Sequence, residues 1–132
     1  MLEAEAKKRL INWVHLPIGD MDIPKNDTLY GLNKIRPQLL EAINRDLSIA
    51  IHCMGGLGRS GTIAAIILAD LGIPLQSAID RVRQFRPGAI ETKAQENFVR
   101  RMYLGTLPSV LMCREFIKAF GLHPLVIFIW AC

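Results

Sequence analysis

Residues 49–61 read Ile49-Ala50-Ile51-His52-Cys53-Met54-Gly55-Gly56-Leu57-Gly58-Arg59-Ser60-Gly61. An apolar run, a glycine-rich turn and the start of an apolar helix follow one another here. The run predicts a strand covered on both faces, and the helix is expected to begin near Ser60. The turn carries Cys53 and, after five intervening residues, Arg59. Small residues let successive backbone N–H groups converge on one point as an anion nest. The helix start adds its positive end. Arg59 offers two parallel N–H bonds to two oxygens of a bound oxyanion. The same donors stabilise Cys53 as a thiolate when no anion is bound. The pattern suits a sulfur nucleophile beneath a phosphate group. The bland alternative is an inert buried thiol beside an ordinary turn.

Working outward, the bounds are simple. A chain of 132 residues is one domain long and can bury a single core. The net charge of +4 comes from scattered residues: Lys7-Lys8-Arg9, then Arg81, Arg83 and Arg86, then Arg100-Arg101. No basic stripe with interleaved aromatics is present, which argues against nucleic-acid binding. The three cysteines, Cys53, Cys113 and Cys132, show no disulfide-like spacing and fit a reducing, cytoplasmic setting. No Cys/His cluster points to a metal. The charged N-terminus has no signal-peptide core. The apolar run 125–130 falls short of the roughly 20 residues of a membrane span, so membrane association is not expected. Nothing in the sequence specifies an oligomeric state.

In chain order, Leu2–Leu10 predicts a helix and Ile11–Ile18 a strand ended by Pro17. Gly19–Asp27 is a loop. Leu29, Leu32, Ile35, Leu39, Leu40, Ile43 and Leu47 recur at helical spacing, with Pro37 expected to kink the helix or split it. After the strand Leu47–His52 comes the apolar helix to Leu71, ended by Gly72. Pro74 opens a helix that buries Ile79, Val82 and Phe85 and turns Arg81, Arg83 and Arg86 outward. Pro87-Gly88 stops it. A further helix starts at Thr92 with Phe98 and Met102 inward. Pro108–Phe120 reads as another amphipathic helix, and Leu125–Trp130 as a strand or an apolar tail.

The run His52–Gly61 resembles the protein tyrosine phosphatase signature H-C-x-x-G-x-G-R-[ST]-G, with every fixed position filled. The likeness covers roughly Leu2 to Gly105 and is strongest to compact dual-specificity phosphatases. It implies an α/β fold, a mostly parallel sheet flanked by helices around a strand–P-loop–helix core. Such folds normally have strands before the one at Ile11, so an N-terminally abbreviated version is expected. Residues 1–105 then form the phosphatase-like domain, and residues 106–132 are unassigned. Two strands alone make a poor sheet, and Leu125–Trp130 offers a third.

Attack on a phosphate ester expels an oxygen that needs a proton, so a carboxylic acid should stand above the pocket. His15-Leu16-Pro17-Ile18-Gly19-Asp20-Met21-Asp22 resembles the family's acid loop. Position favours Asp20, with Asp22 second, and both are also natural turn formers. Gly19 stands where the family often has proline, which implies a looser loop. The Ser60 hydroxyl can donate to the Cys53 sulfur or cap the helix. His52 is expected to order the loop through a ring N–H. The stretch Arg86–Gln95 also resembles the family and implies that Gln95 orients water. Thr92 and Gln95 equally spell a capping box.

The resemblance implies a two-step reaction without metal or organic cofactor. Cys53 attacks phosphorus. Arg59 and the amides of Met54, Gly55, Gly56, Leu57 and Gly58 hold the oxygens. Asp20 protonates the leaving group and then activates water. Positions 54–57 carry no cation, which argues against polyphosphorylated substrates. A phosphorylated protein or peptide is expected, phosphotyrosine first, with phosphoserine or phosphothreonine next. The competing readings are a truncated, non-catalytic chain or phosphate-binding module, and a membrane-associated protein held by its apolar tail.

Overall fold

A computed structural model describes residues 2–103 and 126–131. In chain order these are α1 (Leu2–Lys8), β1 (Ile11–His15), α2 (Asn26–Asn44), β2 (Ile49–His52), α3 (Gly58–Asp70), α4 (Leu75–Phe85), α5 (Lys93–Tyr103) and β3 (Val126–Trp130). The strands pair in parallel in the order β1-β3-β2. Trp13 and Ala50 both stand opposite Phe128. The ladder runs one residue further where the Ala131 N–H donates to the His52 carbonyl at 2.9 Å. The strand at 126–130 thus lies between two strands of the 1–105 segment. The expected helix at 108–120, with Cys113 and Cys132, lies outside the described residues.

Apolar periodicity sets the packing. α3 buries Ile63, Ile66 and Ile67 and packs against β2, α2, α4 and α5. Leu32 and Leu39 of α2, Ile79 of α4, Val99 of α5 and Ile129 of β3 close the same core. Each such side chain contributes about 2 kcal/mol when fully buried. Between α2 and α3, Arg36 pairs with the nearly buried Asp70 at 2.7 Å.

The structure corrects several local expectations. β1 ends at His15 rather than Ile18: Pro17 has no N–H for a ladder, and its carbonyl is taken by the Thr28 hydroxyl. Pro37 does not divide α2, which runs continuously through it, held by Leu32 on one side and Leu39 and Leu40 on the other. β2 is not covered on both faces. It lies at an edge of the described sheet, and Ala50 is exposed.

The second half of α4 departs most. Phe85 ends the helix with 81% of its surface exposed. Arg83 does not face outward. It donates to the carbonyls of Ala89 (3.1 Å) and Ile90 (3.2 Å) and to Glu96 (2.9 Å). Those carbonyls lie in a turn with no ladder to satisfy them, and the guanidinium supplies the missing donors. Arg86 is exposed, as expected, and from the surface donates to the Gly55 carbonyl at 3.2 Å.

Glu96 is the anchor of this corner. Hydrogen bonds from Arg83 and Arg100, with Lys93 nearby, hold its carboxyl down at about 2. A carboxylate depressed in the folded state adds stability above its unfolded value of 4.5 and loses it as pH falls towards 2. Glu96→Gln is therefore expected to melt several degrees below the parent at pH 7 in thermal unfolding. That gap should close as the pH is taken from about 5 down to about 2. A gap independent of pH would show that the ion-pair corner is not what the substitution removes.

Candidate active site

β2 delivers the chain to Cys53, and α3 begins at Gly58. The first turn of α3 has no side-chain cap, so its N–H groups are free to face an anion. The Cys53 sulfur occupies that position. It accepts the Gly56 N–H at 3.2 Å and lies 3.5 Å from the Ser60 hydroxyl. Gly56 has φ +69°, a conformation that glycine adopts without cost and that lets this N–H turn towards sulfur. Burial alone would push the thiol up, since Cys53 is only 7% exposed. The Ser60 hydroxyl and N–H, the Gly56 N–H and the Arg59 charge outweigh burial and hold the Cys53 thiol below its ordinary value. His52 packs its ring Nδ1 3.2 Å from the Cys53 carbonyl. An N–H there donates to that carbonyl and fixes the turn.

Arg59 reaches across to the loop after β1. Its guanidinium donates to the Ile18 carbonyl at 3.4 Å and pairs with Asp20 at 3.1 Å. The Arg59 side chain is 11% exposed and that of Asp20 82%, so a buried cation holds an exposed carboxylate. Asp22 is engaged elsewhere. Its carboxylate accepts the Ile23 N–H at 2.8 Å and pairs with Lys25 at 3.0 Å. The backbone bond from Ile23 and then Lys25 lower its pKa. Asp20, Cys53 and Arg59 border one cavity of about 460 Å³; Asp22 does not.

Gln95 borders it too, and is fully buried. Its side chain accepts the Thr92 N–H at 3.2 Å while the Thr92 hydroxyl accepts the Gln95 N–H at 3.1 Å, the reciprocal capping box of α5. Its amide nitrogen also donates to the Asp22 carbonyl at 3.0 Å. One side chain thus caps a helix, holds the acid loop and faces the cavity. It also fills the space beside Gly58, where a Cβ would come within 2.9 Å of both Gln95 head-group atoms. Of the loop residues, Met54, Gly55, Leu57 and Gly58 border the cavity, and Gly56 reaches the sulfur.

Sequence reading missed Met21 and Glu91, which also border the cavity, and Arg86, which secures Gly55. Their sequence signal was membership of the His15–Asp22 run, for Met21, and of the Arg86–Gln95 stretch, for Glu91 and Arg86. Among the described residues no group of His, Cys, Asp and Glu is placed to hold a metal ion, and no helix is long and apolar enough to cross a membrane. Chemically, the site offers a sulfur whose thiol is held below its ordinary pKa, a nearly buried guanidinium and an exposed carboxylate around one space.

Residues 3–99 match the family described as PTP-SAK: Swiss Army Knife protein, DSP-PTPase phosphatase domain. Among curated proteins, the chain is similar to cyclin-dependent kinase inhibitor 3 of Sus scrofa, 36% identical over 104 residues, covering 76% of this chain and 47% of that one. It is similar to protein tyrosine phosphatase type IVA 2 of Mus musculus, 29% identical over 92 residues, covering 69% and 54%. PRL-1 phosphatase of Drosophila melanogaster is 38% identical over 50 residues, covering 38% and 28%. The chain thus spans about half, or less, of the length of these relatives. No solved structure matches.

The depressed thiol is directly testable. Alkylation of Cys53 by iodoacetamide, followed by mass spectrometry across pH, should show a midpoint below that of free cysteine, because only the thiolate reacts. Ser60→Ala should move the midpoint upward by removing the hydroxyl donor. An unshifted midpoint in Ser60→Ala would rule out that hydrogen bond as a source of the stabilisation.

Proposed function

The chain belongs to the DSP-PTPase phosphatase family, and on that premise we propose that it hydrolyses phosphate monoesters on protein side chains, phosphotyrosine first, through a phosphocysteine intermediate. One observation carries the proposal. A nearly buried sulfur accepts the Gly56 N–H in the loop that leads into the uncapped start of α3, in the wall of a cavity shared with Arg59 and Asp20. We read residues 1–105 as the phosphatase-like domain, with a phosphatase-type parallel sheet, and β3 as the strand that joins its sheet. The setting is read as cytoplasmic because the proposed nucleophile must stay reduced.

In the first step the phosphate dianion replaces the Asp20 carboxylate on the Arg59 guanidinium. Its equatorial oxygens take that guanidinium and the loop amides from Met54 to Gly58. The Cys53 sulfur forms a bond to phosphorus as the ester P–O bond breaks. Asp20, released and protonated, gives its proton to the leaving oxygen. In the second step a water loses a proton to the Asp20 carboxylate and attacks phosphorus. The S–P bond breaks, with the Ser60 hydroxyl donating to the departing sulfur, and inorganic phosphate leaves. Gln95, facing the cavity beside the acid loop, orients that water. Fixed donors around the developing charge are usually the largest catalytic contribution.

Turnover of a phosphotyrosine peptide, read as released phosphate, tests this. Cys53→Ser should lose at least about a thousandfold of activity. Asp20→Asn should lose about a hundredfold in kcat. The same substitution should bind vanadate more tightly, because Arg59 no longer holds a competing carboxylate. Turnover should persist in EDTA. Unchanged turnover in Cys53→Ser would reject the mechanism. Vanadate raising the melting temperature without any turnover would instead support a phosphate-binding module.

A further inference from the structure

The exposed part of the cavity wall carries two thioethers. Met21 and Met54 both border the cavity, and they are 53% and 87% exposed. Met21 is held at a cost. It sits inside the turn closed by the Asp22 N–H on the Gly19 carbonyl (3.1 Å), with φ +58°. Glycine or asparagine takes that conformation easily; methionine stores strain there and leaves apolar surface in water. Strain of this kind collects where a site needs a particular side chain.

Charge in the lining points the same way. Among the described residues that border the cavity, Arg59 is the one cation, while Asp20 and Glu91 are carboxylates. With Arg59 committed to the phosphate, nothing in this lining grips the rest of an anionic substrate by charge. A second phosphate would meet carboxylates. The remaining grip is apolar, and thioethers make favourable contacts with the faces and edges of aromatic rings.

We propose that Met21 and Met54 form an apolar clamp that selects the phenyl ring of phosphotyrosine over the short alkyl group of phosphoserine. This rests on the phosphatase reading above and adds the side chains that set its substrate class. The clamp acts in binding, so it is measurable apart from turnover.

The test is calorimetric titration of the Cys53→Ser protein with phenyl phosphate, methyl phosphate and inorganic phosphate. Phenyl phosphate should bind roughly tenfold more tightly than methyl phosphate. Adding Met21→Asn or Met54→Ala should each cut that ratio at least about threefold. Asparagine suits the positive φ at position 21, so Met21→Asn should melt no lower than its parent, and a lost ratio cannot be laid to unfolding. A ratio unchanged in both variants overturns the clamp and leaves the phosphatase reading standing. Failure of all three probes to bind removes the phosphate cradle, and the clamp with it.

Discussion

Favouring the charged form of a sulfur that is almost out of water is the constraint around which the rest is built. A buried charge without partners costs more than a small domain can bear. Here the partners come from backbone geometry. α3 starts without the serine, threonine or aspartate cap that would normally quench its first N–H groups. Left open, that end is a liability in most helices; opposite Cys53 it is the counter-charge. The donors hold position because Ile63 and Ile66 anchor the same helix in the core. Packing energy is thereby converted into electrostatic order.

Two loops must then be held against this helix start, and neither has a ladder of its own to stiffen it. Polar side chains do the work. Gln95 ties the acid loop to the start of α5, and Arg83 ties the Ala89–Ile90 turn to Glu96. Arg86 secures the cysteine loop through the Gly55 carbonyl. Ile90, a β-branched residue at φ +57° and almost fully buried, shows how firmly that turn is fixed. Arg59 completes the arrangement by joining the two walls through Asp20 and Ile18.

What was legible in the sequence was what is contiguous. An anion nest needs consecutive amides, so Cys53, Gly56, Arg59 and Ser60 could be read from one stretch, and the structure gathers them at the Cys53 sulfur. The burial of Ile63 and Ile66 followed from a helix apolar all round, and the inward turn of Ile79 and of the partly buried Val82 from helical period. Period gives the face of a residue but not its partner. It turned Arg83 outward because it is charged, whereas the Ala89 and Ile90 carbonyls and Glu96 recruit it. It turned Phe85 inward because it is apolar, at a helix end that none of the described elements covers. Asp20 and Asp22 looked alike as turn formers. Position alone had ranked Asp20 first, and the fold adds the physical difference, giving Asp22 to Lys25 and the Ile23 N–H, and Asp20 to Arg59.

The contact between Gly58 and Gln95 has a bearing on how such a loop can change over time. The two positions compete for one volume, although they lie 37 positions apart along the chain. A larger residue at 58 becomes admissible only after the one at 95 shrinks. Shrinking it first abandons a helix cap and a tether on the opposite loop. Neither order of substitution is free, so this stretch of the loop is frozen by its neighbour's bulk as much as by the chemistry it carries.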